Sequence, residues 1–282
     1  MSRSRAQELI DSGAVRQGGR RLSKGDQLEA GSVLEIELEP ALPAVVPQPE
    51  LALAVLLETP SLIVVDKPAG VACHPLRPGE TGTLANALVA RFPECLGAGA
   101  APREAGLCHR LDRETSGTIL AARTPEAFRA LREEFRKRAV EKVYLGLVEG
   151  KLEPAEGRIE IALGGRGSRT RPWRGASDGR ALPALTSYRT LWSEGDRSLL
   201  EVRIETGVRY QIRAHLAAIG HPLIGDAAYG GAAWPLLPRH LLHAWRLGFP
   251  DPLDGSAREA RAPLPEDARR ALEQLGFGSH LD

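Results

Sequence analysis

No stretch of eighteen or more apolar residues occurs in this chain, and Met1 leads into Ser-Arg-Ser-Arg instead of an apolar leader, so neither a membrane helix nor a secretory signal is predicted. The cytoplasm is the expected location. Cysteine is scarce: Cys73, Cys95 and Cys108 are an odd number with no Cys-x-x-Cys pair, which argues against a disulfide framework and a cysteine-built zinc centre. Each is expected to be a free or structural thiol. A Walker-type phosphate loop, a dinucleotide fingerprint, internal repeats and long low-complexity tracts are all missing, so no cofactor and no metal are predicted.

What is present suffices for a full core. At 282 residues with 43% hydrophobic side chains, the chain allows one large domain and a small one. A net charge of +1 conceals local clustering of basic residues. Arg3, Arg5, Arg16, Arg20, Arg21 and Lys24 crowd the start, Arg129 to Lys142 form a second group, and Arg158, Arg166, Arg169, Arg171, Arg174 and Arg180 punctuate a glycine-rich stretch. Each group is either solvated surface or part of a surface that follows phosphates.

Pro40, Pro43, Pro47 and Pro49 interrupt regular structure and stiffen a connector. They divide the chain into residues 1–39, a linker over 40–52 and a larger domain over 53–282. In the first part, Ser4 to Ser12 reads as a helix ended by Gly13. Gly18-Gly19 offers a hairpin turn, and Leu34, Ile36 and Leu38 alternate with Glu35, Glu37 and Glu39 as a strand.

In the larger domain, Leu62 to Val65 is a buried-strand candidate that leads into a turn at Asp66-Lys67-Pro68-Ala69-Gly70. Thr83 to Arg91 reads as a helix stopped by Pro93, and Gly117 to Ala122 as a second buried strand. Thr124 and Pro125 open a further helix with Phe128, Leu131 and Phe135 on its apolar stripe, and Glu133 with Lys137 and Glu134 with Arg138 are expected to pair on its surface. Val140 to Val148 is strand-like and carries Tyr144. Leu200, Val202 and Ile204 alternate with charges. Ile212, Leu216 and Ile219 then recur at helical spacing before Gly220, which would set Arg209 and Arg213 four apart on one side. This order predicts an α+β domain with several antiparallel connections.

The most informative segment runs from His109 to Leu120, where Asp112 stands between Arg110 and Arg113 just before an apolar run. In extended chain, Arg110 and Asp112 point one way and Leu111 the other. Flanking guanidinium groups would keep the carboxylate ionised and oriented, which suits a structural ion pair or a nucleophile. On spacing alone the salt bridge is the more common outcome. Likewise Tyr144 reads as a core side chain or a stacking face, and Arg213 as an exposed helix charge or a partner for Asp112.

The string His-Arg-Leu-Asp-x-x-Thr-Ser-Gly resembles the signature of the RluA-type RNA pseudouridine synthases, whose aspartate is catalytic; that role falls on Asp112. Glu141-Lys142-Val143-Tyr144 resembles the family's Lys-x-Tyr strand, with the tyrosine against the target base. Thr206 to Leu216, continued by Gly220 to Asp226, resembles its third signature, in which the arginine after Gln-Ile pairs with the aspartate; here that is Arg213. Asp66 to Val71, His74-Pro75, Leu242 to Leu247 and Ala262 to Pro265 extend the likeness over residues 56–275. One segment departs: the family reads Gly-Arg-x-His-Gln-Ile-Arg, whereas Val208 and Tyr210 stand in the arginine and histidine places and Arg209 lies one residue later. Local RNA contacts are where that departure is expected to act.

The resemblance implies a pseudouridine synthase fold, a mixed and mostly antiparallel central sheet with flanking helices around a catalytic cleft. The first 39 residues look like the later part of a small alpha-L RNA-binding module that lacks its first helix. It further implies isomerisation of uridine in structured ribosomal or transfer RNA, with Asp112, Tyr144 and Arg213 in the chemistry and Arg110 and Arg209 on the RNA. A monomer is expected. Two other readings are an inactive RNA-binding or ribosome-assembly protein that keeps the fold, and a carboxylate-dependent hydrolase of nucleosides or sugars, which the single candidate carboxylate disfavours.

Overall fold

The computed structural model describes residues 3–37, 44–165, 169–173 and 181–277, and the chain separates into two compact units, residues 1–43 and 44–282. In the smaller unit, helix α1 (Arg3–Asp11) ends before Gly13 at φ +74°, and strands β1 (Val15–Gln17) and β2 (Arg20–Arg21) turn over Gly18 and Gly19. A third strand, β3 (Glu35–Ile36), pairs with β1, and Leu9, Val15 and Leu22 form the core. The strand expected over Leu34 to Glu39 is thus a two-residue ladder, and its last two positions, Leu38 and Glu39, lie outside the described residues.

The larger unit begins at Ala44, inside the proline-rich stretch. Val45 is buried in its core and the Asn86 side-chain amide donates to the Val46 carbonyl at 2.7 Å, so this part of the stretch packs against the domain. Its elements follow as β4 (Ala54–Glu58), β5 (Leu62–Lys67), α2 (Leu84–Arg91), β6 (Ser116–Ala122), α3 (Pro125–Arg136), β7 (Glu141–Glu149) and β8 (Glu156–Ile159). Then come β9 (Leu163–Gly164), β10 (Arg171–Pro172), β11 (Thr186–Glu194), β12 (Arg197–Ile204), α4 (Gln211–Ala218), β13 (Leu242–Pro250), β14 (Ala257–Arg261) and α5 (Glu266–Gln274). β9 and β10 form a separate ribbon. The main sheet runs β4-β5-β6-β13-β7-β12-β11-β8 with β14 on β13, and every pairing is antiparallel except β6 beside β13.

β5 shows why this sheet is covered on both faces. Leu62 and Val64 enter a cluster with Leu120, Phe128 and Leu131, while Ile63 and Val65 pack oppositely with Leu84, Leu88 and Ile119. An uninterrupted apolar strand therefore feeds two cores, one under α2 and one under α3. α3 starts as its sequence dictates: Pro125 occupies the first turn and Thr124 Oγ1 accepts from the Ala127 N–H. Its ion pairs differ from the four-residue spacing expected. Glu133 pairs with Arg136 and Glu134 with Lys137, because the helix stops at Arg136 and Arg138 has turned to φ +60°, off the helical row.

Where β6 meets β13, Gly117 adopts φ +113° and a Cβ would lie 2.2 Å from the Ala244 carbonyl oxygen. Only glycine allows that approach.

Candidate active site

Asp112 sits in the loop that enters β6, and the loop is fastened on several sides. Leu111 packs among apolar side chains and exchanges hydrogen bonds with Cys73, its N–H donating to Sγ at 3.2 Å and the thiol donating back to its carbonyl at 3.3 Å. The Thr115 N–H donates to the Asp112 carbonyl at 3.2 Å, closing a turn. Thr115 and Ser116 hydroxyls bond His240 and His243 at 3.1 and 2.9 Å. Lys67, fully buried, donates to the carbonyls of Pro68, Val71 and Arg113. The His-Arg-Leu-Asp-x-x-Thr-Ser-Gly string is thus a set of attachments: Leu111 inward, Thr115 and Ser116 to the C-terminal segment, Gly117 for the strand crossing. Arg110, Asp112, Tyr144, Arg209 and Arg213 all line one cleft of about 930 Å³.

Arg213, on α4, donates from Nη1 to Asp112 Oδ2 at 3.1 Å, and from Nε and Nη2 to the two oxygens of Asp226, each at 2.7 Å. The rings of Tyr210 and Tyr229 lie 5.0 and 4.9 Å from its guanidinium carbon. Burial works against the guanidinium charge, and the carboxylates of Asp226 and Asp112 outweigh it. Asp226 has only 1% of its side chain exposed, and it follows Gly225, whose φ is +82° and whose Cβ would lie 2.2 Å from the Arg239 carbonyl. Sequence reading took Asp226 as one letter of a longer likeness and gave it no role; the signal was a carboxylate directly after a glycine thirteen residues beyond Arg213.

The sources of charge around Asp112 also differ from expectation. Arg113 donates instead to the Gly70 carbonyl at 3.3 Å, and Arg110 is exposed with no ion pair among the described residues. Burial pushes the Asp112 carboxyl above its ordinary value, Arg213 and Arg209 pull it back, and Asp226 adds to the rise. The carboxylate is therefore held by distant residues rather than by its sequence neighbours. Arg209 does not share a helix face with Arg213. α4 begins at Gln211, Tyr210 precedes it at φ +59°, and Arg209 lies over the Tyr210 ring at 4.4 Å. Gln211 Oε1 caps the turn by accepting from the Val208 N–H and the Thr206 hydroxyl at 3.1 and 2.8 Å.

Tyr144 stands on β7 in the middle of the sheet, buried, yet lining the cleft. Among the described residues its hydroxyl has no hydrogen-bond partner, and burial together with the Asp112 charge holds the phenol protonated. His215 is a packing residue between Thr186 and the Ile161 carbonyl, and His221 bonds the Glu149 carbonyl. An ionised carboxylate, a counter-cation and an aromatic face that share one cleft can act on a sugar while its base is held.

The family model for RNA pseudouridylate synthases matches residues 61–218. Over 277 residues the chain is 40% identical to an uncharacterized RNA pseudouridine synthase of Chloroflexus aurantiacus, covering 98% of this chain and 86% of that one. It is 35% identical to the ribosomal large subunit pseudouridine synthase D of Neisseria meningitidis serogroup A, over 100% of this chain and 77% of the other. The solved human RNA pseudouridylate synthase domain containing 1 shares the fold at a TM-score of 0.60 and 26% identity, covering 81% of this chain and 87% of that one. The matched segment carries β6, β7 and α4, the elements that converge on Asp112. The chain belongs to the RluA-type family of RNA pseudouridine synthases and is an isomerase that converts uridine in RNA to pseudouridine.

Proposed function

We propose that Asp112 is the carboxylate that acts on the ribose of the target uridine, and the observation that carries this reading is its contact with Arg213 at 3.1 Å inside the cleft. Asp112 either attacks the anomeric carbon or removes a ribose proton to give a glycal. Both routes use the ionised form, which Arg213 and Arg209 support against burial. The base is released, turned and rejoined through carbon 5, with no group added, so neither cofactor nor metal is invoked. Tyr144 stacks on the flipped base, an interaction worth about 1–3 kcal/mol that offsets part of the unstacking. Arg110 takes the space the nucleotide leaves, and Arg209 contacts the RNA beside it.

The substrate in this reading is structured ribosomal or transfer RNA, and the names of the Neisseria meningitidis and Xanthomonas campestris relatives favour ribosomal large-subunit RNA. The enzyme acts as a monomer in the cytoplasm. No helix among the described residues is long and apolar enough to cross a membrane. The test is release of tritium from carbon 5 of labelled uridine in host RNA: wild type releases it and Asp112→Asn does not. Normal release by the Asn variant sinks the assignment. RNA binding by the wild type with no release from any host RNA pool would favour an inactive RNA-binding protein.

A further inference from the structure

Lys142 stands two residues before Tyr144 on β7, so strand alternation sets both on one side of the sheet, and both line the cleft. It is only 8% exposed, and among the described residues its ammonium makes no hydrogen bond and no ion pair. Other deeply buried cations differ. Lys67 donates to three carbonyls, and Arg239 to Asp267 and two carbonyls. Lys142 instead lies 5.8 Å from the centre of the Phe135 ring, which is itself tilted against His109 at 5.1 Å.

The one charge that acts measurably on this lysine, Arg138, is of its own sign, while the carboxylates of Glu104 and Glu205 line the same cleft and Glu205 lies 3.8 Å from Arg138 rather than on Lys142. Burial and then Arg138 pull the ammonium down to about 8, and Arg132, Arg136 and Arg138 border the same cleft. Arg132 is turned away to the Cys108 carbonyl at 2.8 Å, and His109 Nε2 accepts from the Leu120 N–H at 3.0 Å. Burying an unpaired ammonium beside other cations disfavours the folded state. An anion in the cleft would supply the partner that Lys142 lacks among the described residues.

We propose that Lys142, with Arg138 beside it, is a subsite for the backbone phosphate that flanks the target nucleotide. Two residues along a strand span about 7 Å, which one nucleotide's sugar and phosphate can bridge. The placement rests on the reading that Tyr144 receives the target base. Phe135, with His109 tilted against it, then forms the aromatic wall that holds the ammonium in place at the cleft.

The test uses the full-length protein and total RNA from a host strain that lacks the gene. Lys142→Met keeps the aliphatic stem over Phe135 and removes the charge. It is expected to raise KM about tenfold with kcat within about twofold, and to reduce the slope of log affinity against log salt by about one. Its Tm is expected to rise by a few degrees, because an unpaired buried charge is gone. Lys142→Arg should return KM to within about threefold of wild type. A lysine that merely supports the fold gives the opposite pair of readings, a lower Tm with an unchanged salt slope, and that result overturns the subsite. So does a wild-type KM and slope in Lys142→Met. Normal turnover by Asp112→Asn in the same assay overturns the reading of the base site, and with it the placement beside Tyr144.

Discussion

Arg213 meets Asp112 through Nη1 alone, at 3.1 Å, because Asp226 already holds its Nε and Nη2 at 2.7 Å each. The cation is positioned by the carboxylate that lies outside the cleft and shared with the one that lines it. Asp112 can therefore exchange its contact for a substrate atom without freeing the guanidinium.

Asp112→Asn is expected to lower turnover by at least about 10³-fold and to leave the fold intact. Burial raises the Asp112 carboxyl above its ordinary 3.8, so its ionisation opposes folding: the penalty is absent in acid below that value and grows as pH rises through the folded one. Thermal melts should show the variant equal to wild type in acid and more stable at neutral pH. Activity of the wild type should fall on the acid side at a pH above 3.8.

Asp226→Asn should behave in the opposite way. It leaves Arg213 buried with a single carboxylate, and breaking a buried ion pair costs about 3–5 kcal/mol. Urea denaturation should show a loss of about 3 kcal/mol, and kinetics a fall in kcat with KM little changed. Wild-type stability in this variant would remove Asp226 from its positioning role.

Tyr144 offers two separable features, a ring that faces the cleft and a hydroxyl without a partner among the described residues. Tyr144→Phe should keep KM within about twofold and lower kcat, whereas Tyr144→Ala should also raise KM by about tenfold or more, the loss of one stacking face. Equal KM values for the two variants would refute the stacking role.

How far the sequence was legible follows from which forces are local. Asp112, Tyr144 and Arg213 could be named because each sits in a string of fixed residues, and the apolar runs of β5 and β6 were plain because both of their faces are buried. Asp226 escaped because its partner is in space, and no periodicity marks a residue in a turn. The start of α4 was misread because Tyr210 enters the helix from a left-handed conformation and Gln211 caps the turn with its own side chain, where Ser, Thr or Asp would ordinarily signal. The surface pairs of α3 slipped by one residue because the helix ended before Arg138. β4, β8 and β14 lie at sheet edges and β11 is only half-buried along most of its length, so their alternation is weak, whereas α5 was missed although Ala268, Ala271 and Leu272 recur at helical spacing.

Gly117→Ala should test the strand crossing directly. At φ +113° and with the Ala244 carbonyl oxygen 2.2 Å from the added carbon, β6 and β13 must part or bend. A loss of at least about 3 kcal/mol in chemical denaturation is expected, with loss of activity in what remains folded.

Thr115 and Ser116 are latched to His240 and His243, side chains 125 and 127 residues further along the chain. A polypeptide still being synthesised therefore displays Asp112 and Tyr144 long before it owns the two histidines that brace the Asp112 loop, and Arg213 shortly before them. Bringing such distant partners together is a late event in folding. Competence arrives only with the last third of the chain, and a fragment cut after residue 218, which keeps the whole segment matched to the family, is expected to be inert.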